Sequence, residues 1–159
     1  MTEESYGGFW RRAVAFFIDM LILNFISLIL FFIGILAGLI SRLPKVGLAE
    51  MNESFVAPYY IVILLVNMLY FTWFHGVAGQ TPGKMILGLK VMQTTGEKMT
   101  PAIAFLRWVG YIISGLFLYI GFIWIAFDGK KRGWHDKIAG TVVIQVRKSQ
   151  VDRLKAEGF

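Results

Sequence analysis

Three long apolar runs separated by short polar stretches set the pattern of this chain. The first, Ala13 to Ile40, is 28 residues in which Asp19 is the only charge. It exceeds the roughly 20 residues that carry a helix across a hydrocarbon core. The second, Val56 to Phe74, is 19 residues, includes Asn67 and Thr72, and ends in the aromatics Tyr70, Phe71, Trp73 and Phe74. Each run predicts one transmembrane helix, over 13–40 and 56–74. Trp10, Arg11 and Arg12 stand just ahead of the first, where an aromatic ring and lipid phosphates meet. Two basic residues before a first span favour a cytoplasmic N-terminus, which places the loop from Ser41 to Phe55 outside.

Between the second and third runs the pattern changes to loose alternation. Leu89 to Gln93 predicts a short strand, closed by the turn signal Thr95-Gly96-Glu97-Lys98. Thr141 to Val146 is rich in β-branched residues and predicts a second strand. A lone strand leaves unpaired edges, so the two are expected to pair. That pairing bears on the third apolar run, Trp108 to Phe127, whose 20 residues could cross once. A single crossing would separate the strands and put Lys130, Lys131, Arg132 and Lys137 outside, against the usual charge bias. A re-entrant helical hairpin, breaking near Ser114-Gly115 or Gly121, is therefore preferred over a third span. The expected fold is a membrane all-α domain over residues 1–159: two transmembrane helices, the hairpin or third span, and a small cytoplasmic two-stranded β element.

Composition agrees, since 57% apolar and 16% charged residues mark an integral membrane protein. The absence of Cys excludes disulfides, thiol nucleophiles and thiolate metal sites. A net charge of +6 without any nucleic-acid motif fits an anionic lipid surface, so the expected partner is the bilayer and not a nucleic acid. The acidic start, Met1 to Ser5, and the length of the first run argue against a cleaved signal peptide. No lipidation box is present, and no internal repeat points to an inverted-repeat transporter.

Asp19 is the chemical oddity, a carboxylate in a span at a cost of roughly 2.5 to 3.5 kcal/mol if central. Arg12 lies seven residues before it, on the same helical face and about 10.5 Å away along the axis. The pair could serve a proton-coupled carrier, or act as a clasp fixing the first helix against Arg107 and the hairpin, and the clasp is favoured. Asn24, Ser27 and Asn67 could line a cation path or hydrogen-bond between helices, and the second role is favoured. His135-Asp136 has no accompanying nucleophile, and two histidines without Cys make a zinc site a poor reading, so no enzyme, metal or cofactor is expected. Asp136 is expected to cap a turn or to pair with Lys84, Lys137 or Arg107. Gly79-Gln80-Thr81-Pro82-Gly83-Lys84 lacks the spacing of a phosphate loop, and Thr81, Pro82 and Gly83 predict a tight turn placing Lys84 at the membrane surface. With hairpin and strands on the cytoplasmic side, Arg12, Asp19, Arg107, Asp128 and Asp136 form a five-residue charge cluster at that boundary.

Taken in order, Trp10-Arg11-Arg12 with Asp19, the Gly79 to Lys84 loop leading into Leu87 to Val91, Arg107, and the stretch from Asp128 to Thr141 resemble the RDD family of small membrane proteins. The resemblance covers nearly the whole chain. The arginine and two aspartates of the family's name would fall on Arg12, Asp19 and Asp136, with Arg107 and Asp128 at further charged positions. It implies a multi-pass protein of the plasma (inner) membrane of largely unassigned role, with transport proposed and cation/proton exchange suggested for some members. The expectation is transport of a small solute, a monovalent cation or a proton by a homo-oligomer, since so few helices can hardly enclose a path alone. The alternative is a scaffold or accessory subunit that binds a protein partner or anionic lipid and moves nothing.

Overall fold

The computed structural model describes residues 6–42, 50–117 and 119–146. It is mostly helical, with two helices long and apolar enough to cross a membrane and a small two-stranded sheet. The elements are α1 (Phe9–Arg42), α2 (Glu50–Ala78), α3 (Pro82–Ile86), β1 (Leu89–Gln93), α4 (Pro101–Leu116), α5 (Ile120–Ile123), a 3₁₀ turn (Trp124–Ala126), α6 (Trp134–Ile138) and β2 (Thr141–Gln145). Helix α1 begins four residues before the expected span, so Arg11 and Arg12 are already helical. The centre of the loop expected at 41–55, residues 43–49, and the acidic start lie outside the described residues.

Two units are distinguishable, residues 20–69 and residues 1–19 with 70–159. In the 20–69 unit the middle of α1 and most of α2 turn apolar side chains outward: Phe25, Phe32 and Leu69 are each more than 60% exposed. Of the most apolar 18-residue stretches of the two long helices, only 6% and 22% is buried within the chain. Helices apolar all round with little internal packing need lipid as their solvent.

The other unit holds the core. Strands β1 and β2 pair antiparallel, with Val91 opposite Val143. Leu89, Val91 and Val143 pack on Ala15 of α1 and Ala104 of α4. The sheet's outer edges are occupied. Gly79 accepts from the Val91 amide at 2.7 Å and Gln80 donates to Leu89 O at 2.8 Å on one side. On the other, Gly7 donates to Val143 O at 2.8 Å and Tyr6 forms a bridge to Ile144. Both strands lie where alternation, for β1, and β-branched residues, for β2, predict them, with β2 ending one residue earlier.

Helix α4 starts at Pro101, not at Trp108, because Thr100 caps it, its hydroxyl accepting from the Ile103 amide, and proline suits a first turn. The chain breaks at Phe117–Tyr119, where Tyr119 adopts a left-handed φ of 60°, between the two weak points expected at Ser114-Gly115 and Gly121. Across that break the helical axis bends by 113°.

Candidate functional site

Two fully buried carboxylates, Asp19 and Asp136, anchor the site, and each has its own set of partners. Asp19 sits on α1 where α3 comes closest. The Thr81 hydroxyl donates to its Oδ2 at 2.5 Å, and the Gly83 amide and Tyr70 hydroxyl donate to Oδ1 at 2.8 and 2.9 Å. Glycine at 83 is what permits this approach, since a Cβ there would lie 2.1 Å from the Ala15 carbonyl oxygen. All three donors are neutral. No Lys or Arg of the described residues is ion-paired to Asp19.

Asp136 lies in the first turn of α6, where its Oδ2 accepts the Gly133 amide at 2.8 Å and so caps the helix. The same oxygen accepts from Arg12 Nη2, while Oδ1 pairs with Arg107 Nη1. Arg107 also donates to Thr141 Oγ1 at 2.5 Å and, through Nε, to the Tyr111 hydroxyl at 3.2 Å. Arg12 donates to Lys131 O at 2.5 Å. Burial alone would raise the Asp136 pKa, but the two guanidinium groups outweigh it and hold the carboxyl well below its usual range. Gly110 brings α4 onto α6, where a Cβ would meet His135 Cα at 2.6 Å.

Arg12 is therefore the partner of Asp136 and not, as its seven-residue spacing predicts, of Asp19. The long side chain reaches toward α6, and the Asp19 carboxylate is taken by α3. His135 Nε2 stands 3.1 Å from Arg12 Nη2; a guanidinium can only donate, so the imidazole accepts there and is neutral. Burial, reinforced by Arg107, Arg12 and Lys84 against the opposing pull of Asp136, pushes the His135 pKa well below 6.5.

Lys84 corrects a second expectation. It is 4% exposed and lies in helix α3, not in a surface turn, with Nζ 3.0 Å from Nε2 of the buried His75. Burial lowers its pKa, with Arg107 and Arg12 adding to that effect and Tyr111 and Asp19 opposing it. Asp128 stands apart from the buried groups. It pairs with Lys137 at 2.9 Å and Arg132 at 3.6 Å and accepts the Lys130 and Arg132 amides, holding the 128–132 turn, and the Lys137 hydrogen bond leads in lowering its pKa to about 2.

Asn24 and Asn67 bond within their own helices, to Met20 O at 2.8 Å and Ile63 O at 2.9 Å, in place of the interhelical bonds expected of them. At Ser27 the backbone carbonyl accepts from Tyr59 OH at 3.3 Å. Sequence reasoning passed over Tyr70, His75, Tyr111 and Thr141 as site residues. A signal existed for Tyr111, four residues from Arg107 on one helical face. Around them Phe16, Phe71, Tyr111, Phe122 and His135 form a continuous ring cluster, with Tyr111 and His135 centroids 4.7 Å apart.

The family model of the RDD family matches residues 6–140. The uncharacterized protein YxaI of Bacillus subtilis (strain 168) is 36% identical over 149 residues, spanning 89% of this chain and 98% of that protein. The uncharacterized membrane protein YteJ of the same organism is 32% identical over 148 residues, 91% of this chain and 84% of its own. A Rickettsia prowazekii (strain Madrid E) protein, RP437, is 36% identical over 92 residues, 55% of this chain and 51% of its own. No solved structure matches the chain.

Proposed function

The chain belongs to the RDD family, and from that premise we propose that it exchanges a monovalent cation for protons across the plasma (inner) membrane, with Asp19 as the cation-binding carboxylate. The observation that carries this reading is the contrast between the two buried carboxylates. Asp136 is compensated by two guanidinium groups, whereas among the described residues Asp19 is held by two hydroxyls and an amide. The hydroxyls of Tyr70 and Thr81 can turn, so that their oxygens join the carboxylate in facing a cation. Asp136 with Arg12 and Arg107 then holds the cytoplasmic end of the site.

The topology proposed with it is a cytoplasmic N-terminus, two spans and a re-entrant hairpin. Pairing of β1 with β2 supports it, because residues 94–140 begin and end at one sheet. The 113° bend supports it too, as does Gly121, whose missing side chain lets α5 lie on Ser114. A homo-oligomer would supply the remaining wall of a path. In proteoliposomes under an imposed pH gradient, sodium or potassium flux is expected, and Asp19→Asn is expected to abolish it. Equal flux in Asp19→Asn, or no flux in the intact protein with any monovalent cation, would end this reading.

A second reading, a membrane scaffold or accessory subunit, draws on the buried Arg12–Asp136–Arg107 clasp, which needs no transported ion to justify it. Under it the intact protein moves no cation and copurifies with a protein partner or anionic lipid.

A further inference from the structure

Three side chains in the buried region are cationic types, Arg12, Arg107 and Lys84, against two carboxylates, Asp19 and Asp136. With both histidines neutral and Lys84 charged, this group carries one surplus positive charge. The two guanidinium groups are committed to Asp136. Among the described buried residues, Lys84 is therefore the cation left to balance Asp19. Lys84 follows directly on the Thr81–Gly83 segment that hydrogen-bonds Asp19, yet its Nζ is turned to His75.

We propose that Lys84 carries the proton of the exchange, so that Asp19 takes up a monovalent cation only when Lys84 is neutral. The inference rests on the exchange reading above and assigns its proton carrier. Adding a cation at Asp19 while Lys84 is charged would place a second surplus charge in a site closed to water. Losing one proton from Lys84 as the cation arrives leaves the charge of the site unchanged.

Lys84 Nζ donates to the neutral His75 Nε2, which holds the ammonium while it is charged; the proton lost from Lys84 leaves to solvent by the way the cation enters. The charged and titratable groups around Lys84 are His75 from α2, Tyr111 and Arg107 from α4, Asp19 and Arg12 from α1, and His135 from α6. Burial and the two arginines lower the Lys84 pKa, the direction a proton carrier needs. One proton leaves for each cation bound, so the exchange is electroneutral.

The test uses purified protein in weakly buffered detergent solution, with sodium chloride as probe and choline chloride as control. Calorimetry reads sodium binding and a pH indicator reads protons. The unsubstituted protein is expected to release one proton per sodium bound. Lys84→Met is expected to keep sodium binding and release none, Lys84→Arg to lose both, and Asp19→Asn to bind no sodium. In the unsubstituted protein, ¹⁵N-lysine NMR is expected to show one lysine side chain losing its charge as sodium saturates, a readout that needs no variant to fold. Proton release that persists in Lys84→Met, or lysines all charged in both states, would overturn the role of Lys84 while leaving cation binding at Asp19 standing. No sodium binding in the unsubstituted protein would overturn the exchange reading and this inference with it.

Discussion

The region of residues 20–69 and the region built from the chain's two outer parts draw on the same two long helices but are held by opposite means. In 20–69, aliphatic and aromatic side chains point outward, and the polar contacts include bonds within one helix, Asn24 to Met20 and Asn67 to Ile63, and a neutral one between helices, Tyr59 to Ser27 O. In the other region, side chains of α1, α4 and α6 meet in buried ion pairs, glycines admit backbone contact, and a sheet ties distant segments together. Lipid offers no hydrophobic driving force between helices, so specificity in such a protein has to come from polar pairing and close backbone approach. Both devices are concentrated in one region.

The comparison is tested most severely at Asp136. Asp136→Asn keeps the shape but strands Arg12 and Arg107, and should destabilise the protein by about 3–5 kcal/mol, the usual cost of orphaning a buried charge. Thermal unfolding in detergent would report it, and a shift no larger than that of a surface variant would show that the clasp contributes little. A second, smaller effect should appear with pH. The neutral, buried His135 has a folded pKa below its unfolded value of 6.5, so below that pH the unfolded chain binds a proton the native chain does not. Stability should fall as pH drops from 6.5 toward the folded pKa, by at most about 1.4 kcal/mol per pH unit, and His135→Gln should flatten that slope. The smallest effect belongs to 20–69, where Tyr59→Phe removes the bond to Ser27 O and should cost about 0.6 kcal/mol in the same unfolding assay. A cost there rivalling Asp136→Asn would erase the distinction between the regions.

Much of the frame was legible. Run length located the two long helices, alternation located Leu89–Gln93, β-branched residues located Thr141–Gln145, and the need to cover strand edges gave their pairing. What escaped was the choice of partner. Periodicity puts Arg12 and Asp19 on one face, but it carries no information about α6, which the sheet brings back to Arg12. Lys84 in a stretch rich in Gly and Pro reads as a solvated turn. Its burial follows from Gly83 packing on Ala15, a contact visible only in three dimensions. Tyr70 reads as one of several interfacial aromatics, and nothing in its spacing announces Asp19 as its acceptor.

The bond between Arg12 and Asp136 spans 124 positions of sequence. During synthesis at about 5–20 residues per second, Arg12 emerges roughly 6–25 s before its partner exists. Arg12 therefore waits for its carboxylate, and the clasp it forms with Asp136 and Arg107 is by necessity among the latest contacts of the fold to close.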